Sequence, residues 1–156
     1  MKPAKKYISV EAFLTLLLET DMEVTGSIEV VLWAASSAVD TDFTGKLVGV
    51  WPDGKAYNLV DGIVRARYRI SEYETNLLEP GKIYQFSFNL GYTSNVFKAG
   101  HRIRIQVDSS ALPKWDRNLN TGHPIGQRIE IKVAVQTIYH DEQHPSHIVL
   151  PLISRK

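Results

Sequence analysis

The 156-residue sequence contains no cysteine. Disulfides, thiolate zinc sites, iron–sulfur ligation and cysteine nucleophiles are excluded together. The absence fits a reducing compartment, and we expect a cytoplasmic protein. No run approaches the ~20 apolar residues of a membrane-spanning helix, so no membrane partner is expected. An excess of one charge sign is also missing: 18 Lys+Arg against 17 Asp+Glu leave a net charge of +1. Without the broad positive field of most nucleic-acid binders, we expect no nucleic-acid partner. There is no Gly-x-Ser-x-Gly elbow, no Gly-rich phosphate loop, no dinucleotide fingerprint and no Asn-x-Ser/Thr sequon. These are the common signatures of hydrolase nucleophiles, nucleotide cofactors and glycosylation, so we assign no catalytic residue and no cofactor.

What remains is ordinary for a globular domain: 44% hydrophobic, 22% charged, ten Gly and seven Pro. A chain of this size buries roughly 70% of its unfolded surface, enough for a core. The opening MKPAKKYISVEAFLTLLLE is basic with a short apolar run. Glu11 and Glu19 bracket that run and no small-residue cleavage site follows, so we read it as folded structure rather than a leader. Within it, Val10, Phe13, Leu14 and Leu17 fit a helical stripe behind a Ser9 cap. Ala12, Leu14, Leu16 and Leu18 fit a strand equally well. Residues 1–17 are therefore set apart as an extension, a short helix or a strand, and 18–156 as the domain.

Period-two alternation dominates the rest. Tyr84, Phe86, Phe88 and Leu90 share one face of 82–90; Ile103, Ile105 and Val107 share one face of 101–109. Ile129, Ile131, Val133 and Val135 share one face of 128–137, opposite Arg128, Glu130, Lys132 and Gln136. Each reads as a strand with one buried and one wet face. The segment 27–36 is apolar on both faces. Turn signals at Pro52-Asp53-Gly54, Asp61-Gly62, Glu79-Pro80-Gly81 and Ala99-Gly100 separate the runs. Short strands at this spacing, with no helical pattern between them, predict an antiparallel sandwich or barrel.

Four groups of residues invite chemistry. His140, Asp141, Glu142, His144 and His147 are metal-ligating types, but around Pro145 they follow neither His-x-His nor His-Glu-x-x-His spacing. We read them as turn residues and assign no metal. The irregular stretch 110–127 holds Trp115, Asp116, Arg117 and Asn118, residue types suited to contacting a domain or ligand. The competing reading plugs one end of the sandwich with Trp115 and caps turns with Asp116, Asn118 and Asn120. Arg65, Arg67 and Arg69 alternate with Val64, Ala66 and Tyr68. We read them as a charged outer face that blocks edge pairing, the other reading being a grip on an acidic partner. Trp33, Trp51 and Trp115 come from separate segments and are read as core before a sugar-stacking platform.

Several blocks, DTDFTGKLV, TSNVFKAGHRIR, WDRNLNTG and HPSHIVLP, resemble the C-terminal domain of the X-Pro dipeptidyl-peptidase and cocaine-esterase hydrolases, a group that includes the α-amino acid ester hydrolases. The resemblance runs from about residue 18 to the end. It implies a jelly-roll (galactose-binding-like) β-sandwich of two antiparallel sheets, packed on an α/β-hydrolase domain that holds a Ser-His-Asp triad. No triad residue can be carried onto this sequence. In the family the jelly roll runs longer on its N-terminal side and a Pro-Pro pair stands where Leu16-Leu17 are found here. We therefore expect a truncated sandwich with an open edge or an exposed apolar face. The expected role is a non-catalytic accessory domain whose partner is an α/β-hydrolase domain or subunit. A free-standing binding module, for example for carbohydrate, and a structural homo-oligomer are the alternatives.

Overall fold

A computed structural model describes residues 5–9, 15–127 and 130–154. Eight strands run in the order β1 (Lys5–Ser9), β2 (Met22–Ser36), β3 (Asp42–Val50), β4 (Ala56–Arg65), β5 (Tyr84–Phe97), β6 (Arg102–Asp108), β7 (Gln136–Tyr139) and β8 (His147–Ile153). All pairings are antiparallel. The larger sheet has the order β1-β8-β2-β5, with β7 also paired to β2; the smaller has the order β4-β3-β6. The chain crosses between sheets after β2, β4, β5 and β6, and the two layers form a β-sandwich. A 3₁₀ turn, Ala66–Tyr68, follows β4.

The core lies where the alternating faces meet. Val24, Ile28, Val30, Leu32 and Ala34 of β2, with Phe86, Phe88 and Phe97 of the neighbouring β5, pack against Phe43 and Leu47 of β3 and Ile103 and Ile105 of β6. The Phe43 and Phe86 rings are 4.9 Å apart, within the range of favourable tilted stacking. Opposite β2, β5 carries an extra residue: Ile28 pairs with Gly91 and Glu29 with Asn89, so Leu90 has no partner. A one-residue bulge swaps the faces of a strand. Phe86, Phe88 and Leu90 point inward before it and Phe97 after it, which leaves Tyr92 exposed.

Three expectations are corrected. Asp61-Gly62 is no turn: both residues lie inside β4. A Cβ on Gly62 would stand 2.3 Å from the Asn89 carbonyl oxygen and 2.9 Å from Leu90 Cα. The glycine is there because β4 crosses the β5 bulge at backbone contact. The other three turn signals do fall between strands. The second correction concerns 128–137, which forms a strand only from Gln136. Ile138, paired with Ala34, packs against the core, whereas Ile131, Val133 and Val135, ahead of the strand, are exposed. Residues 128 and 129 are outside the described residues. Third, the alternation of Arg65, Arg67 and Arg69 does not continue as a strand, because β4 stops at Arg65.

At the other end of the chain, β1 pairs with β8. Thr15 and Leu18 donate backbone hydrogen bonds to Ile103 and His101 along the β6 edge (2.8 and 2.9 Å). Of the helix-or-strand ambiguity over 10–19, residues 10–14 lie outside the described residues; from Thr15 to Leu18 the chain has neither form.

Candidate functional site

The best-defined polar cluster sits on the outer face of the smaller sheet, beneath the irregular stretch that holds Asp116, Asn118 and His123. Asp40 and Asp42 flank the start of β3 and are 0% and 1% exposed. Register sets Asp42 directly opposite Arg65 at the end of β4. Arg65 grips it as a fork, Nε to Oδ1 and Nη2 to Oδ2, each 2.9 Å. Two residues on, the 3₁₀ turn tucks Arg67 inward. Its Nε donates to Asp40 Oδ2 (2.8 Å), its backbone N–H to Asp40 Oδ1 (3.1 Å), and its Nη2 to the His123 carbonyl (2.9 Å). The three-arginine outer face is thus overturned: Arg65 and Arg67 face carboxylates of their own chain. Arg69 turns to the Ala66 and Asn76 carbonyls, with its guanidinium 4.4 Å from the Tyr84 ring.

The loop supplies the keystone. Asn118 Nδ2 donates one proton to Asp40 Oδ2 and the other to Asp42 Oδ1, both at 2.8 Å. Its Oδ1 accepts the Asn120 N–H (2.9 Å), and Asn120, at φ 61°, reaches on to the Lys132 carbonyl. Gly122 follows at φ 75°, where a side chain would be strained and would strike Val39. The spacing Asn-Leu-Asn-Thr-Gly is therefore a folding instruction: a bridge, a left-handed residue, and a second left-handed residue pressed on the β2–β3 connection. Asp116 Oδ1 accepts from Arg65 Nη2 (3.1 Å). The paired carboxylates, Asp42 first, hold the Arg65 guanidinium above its usual range against the opposing effect of burial.

Of the four residues singled out in the loop, Asn118 is spent inward, and Asp116, itself exposed, pairs with Arg65. Trp115 is half-buried, with the Lys114 ammonium 4.5 Å from its ring. Arg117 is exposed and lines a cleft of about 320 Å³ with Arg65, Arg67, His123 and Ile125. Sequence reasoning missed Asp40 and Asp42. The available signal was two carboxylates and two guanidiniums, each pair at i and i+2, at the outer ends of two strands joined by a hairpin.

The other groups scatter. His144 Nδ1 pairs with Asp141 (3.0 Å) and its ring packs on Trp33 and Tyr139, while His147 Nδ1 bonds the Pro145 carbonyl (2.7 Å). Burial pushes the Asp141 carboxyl up, but the Gln143 and His144 N–H groups and the His144 ring bring it net below its ordinary value. Among the described residues, no three His, Asp or Glu converge as a metal set. Trp51 packs with Tyr57 and His101, Trp33 with His144, and Trp115 with Lys114. The Trp51 and Tyr57 rings are tilted by 54°, not coplanar.

Residues 4–149 match the family described as the X-Pro dipeptidyl-peptidase C-terminal non-catalytic domain. The chain belongs to that family. It is 49% identical, over 99% of its length, to a cocaine esterase of Rhodococcus sp. (strain MB1 Bresler), of which it covers 27%. The domain superposes with a TM-score of 0.87 on an aminopeptidase from a marine sediment archaeon (Thaumarchaeota), at 31% identity over 90% of this chain and 25% of that one. An α-amino acid ester hydrolase gives a TM-score of 0.86 at the same identity and coverage. The chain thus spans about a quarter of the length of the relatives it matches. Its two antiparallel sheets are the β-sandwich of that non-catalytic C-terminal domain family. No helix among the described residues is long and apolar enough to cross a membrane.

Proposed function

We propose that this domain braces the α/β-hydrolase part of a serine esterase or peptidase and helps to wall its active-site cleft. One observation carries the reading. The richest polar cluster in a chain that belongs to a non-catalytic family is consumed in holding its own loop: Asn118 and Asp116 tie residues 109–135 to Asp40, Asp42 and Arg65. An irregular segment fixed in this way is a contact surface. Within it, Arg117 and the Trp115 edge meet the partner domain, while Asp116 and Asn118 set their position. The Asp141–His144 pair offers half of a triad, but the nearby Ser146 hydroxyl donates to the Tyr139 carbonyl instead.

The purified chain should turn over neither p-nitrophenyl esters nor X-Pro amides. Activity that vanishes in Ser146→Ala and His144→Ala would overturn the reading. The tilted rings at Trp51 and Tyr57 disfavour a carbohydrate module. Homo-oligomerisation would appear as a dimer mass in light scattering, and the cytoplasmic setting can be checked by cell fractionation.

A further inference from the structure

Ile131, Val133 and Val135 are 60%, 89% and 69% exposed. They alternate with Lys132 and Ala134, and all three apolar side chains stand in solvent on a segment of five residues. The segment is held in place. The Lys132 N–H donates to the Leu119 carbonyl and Asn120 Nδ2 to the Lys132 carbonyl, both 2.9 Å. The Val135 N–H donates to Ser37 Oγ, and its carbonyl accepts the Ser37 N–H, again 2.9 Å each. Anchored on two neighbours, the segment is preset. Its β-branched side chains are stiff at χ1 and lose little freedom on burial. A fixed row of this kind marks an interaction site, in contrast to a lone exposed ring such as Tyr92.

The comparisons indicate what covers it. About three quarters of the cocaine esterase that aligns with this chain lies outside the aligned region, and the family is the non-catalytic companion of a catalytic part. We propose that the Ile131–Val133–Val135 row is the seat on which the catalytic part of the hydrolase packs, through apolar side chains of its own. This rests on the accessory-domain reading above and specifies its surface. Glu130 and Lys132 put one charge of each sign beside the row, so the contact is apolar at its centre and only weakly salt-dependent.

The test uses the isolated chain and a hybrid in which it replaces the matched 27% of the Rhodococcus cocaine esterase. Val133→Lys should leave the melting temperature of the isolated chain unchanged, because the side chain is already in water. In the hybrid it should lower the melting temperature by about 3 °C or more. Tyr92→Lys, at a comparably exposed position, should change neither. Equal effects of Val133→Lys in the two contexts would overturn the proposal. So would an isolated chain that dimerises in light scattering and becomes monomeric with Val133→Lys, since a second copy would then be the occupant. An unsubstituted hybrid that fails to assemble would instead sink the accessory-domain reading, and this surface with it.

Discussion

Asn118→Asp exchanges an amide for a carboxylate of nearly the same shape, at the point where two buried carboxylates meet. The native amide spends both protons on Asp40 and Asp42, each 2.8 Å away. A third carboxylate there would repel each of them by about 4 kcal/mol at an effective dielectric of 20. The variant can relieve that strain by keeping a proton. At about pH 7, protonating a carboxyl of ordinary pKa ~3.9 costs about 4 kcal/mol, so the charge penalty saturates near that figure. A protonated group still makes only one of the two bonds, and the lost charge-assisted bond adds about 1.5 kcal/mol or more. We expect Asn118→Asp to lose about 5 kcal/mol at neutral pH. Asn118→Ala adds no charge and leaves each aspartate its arginine, so its loss is about 3 kcal/mol. The sign of the pH dependence follows from linkage. The introduced carboxyl has a folded-state pKa raised above its unfolded value. Its penalty is therefore absent below about pH 4 and grows as pH rises toward the raised value. Thermal unfolding by circular dichroism at about pH 4 and about pH 8 reads this directly, at about 2–4 °C per kcal/mol for a domain of this size. A melting temperature within a degree of native at neutral pH, or a deficit equal at both pH values, would refute the keystone role of Asn118.

Gly62→Ala should cost about 3 kcal/mol, because its Cβ meets backbone atoms of Asn89 and Leu90 that cannot swing aside; an unchanged urea midpoint would contradict the close crossing. Arg67→Met strands Asp40, which is 0% exposed, and should lose about 3–5 kcal/mol, with Asp40→Asn in the same chain restoring part of it. No recovery in the double variant would mean that Arg67 acts by packing alone. The Lys98 ammonium, and then the Ala99 N–H, hold the Asp21 carboxyl below its ordinary range. Its contribution is therefore complete above about pH 4 and is lost as pH falls through the depressed value. Asp21→Asn should flatten the acid limb of a melting-temperature series, and an unaltered limb would discount the contact.

Legibility differed from element to element for physical reasons. Phe86, Phe88, Ile103 and Ile105 were readable because a buried strand face imposes period two on the residues themselves. Row 131–135 carries the same signal with the opposite outcome. Alternation reports that one face is apolar but not whether it is buried, and this row, ahead of the strand in which Ile138 pairs with Ala34, is exposed. Asp61-Gly62 failed for a related reason: glycine is equally suited to a turn and to a close backbone crossing. The loop residues Trp115, Asp116, Arg117 and Asn118 stood out as an irregular, polar-aromatic stretch, yet nothing local divides them into anchors and free groups.

From composition and pattern alone came an all-β domain without thiol chemistry, nucleotide loops or a hydrolase elbow, since those depend only on which residues are present and how they alternate. Tertiary structure decided that Arg65 and Arg67 serve Asp42 and Asp40, that Asn118 joins them, and that Ile131, Val133 and Val135 stay outside the core of this domain. Those outcomes depend on pairing register and on a loop crossing a distant sheet. Both bring together residues many dozens of positions apart, a separation over which sequence carries no directional information.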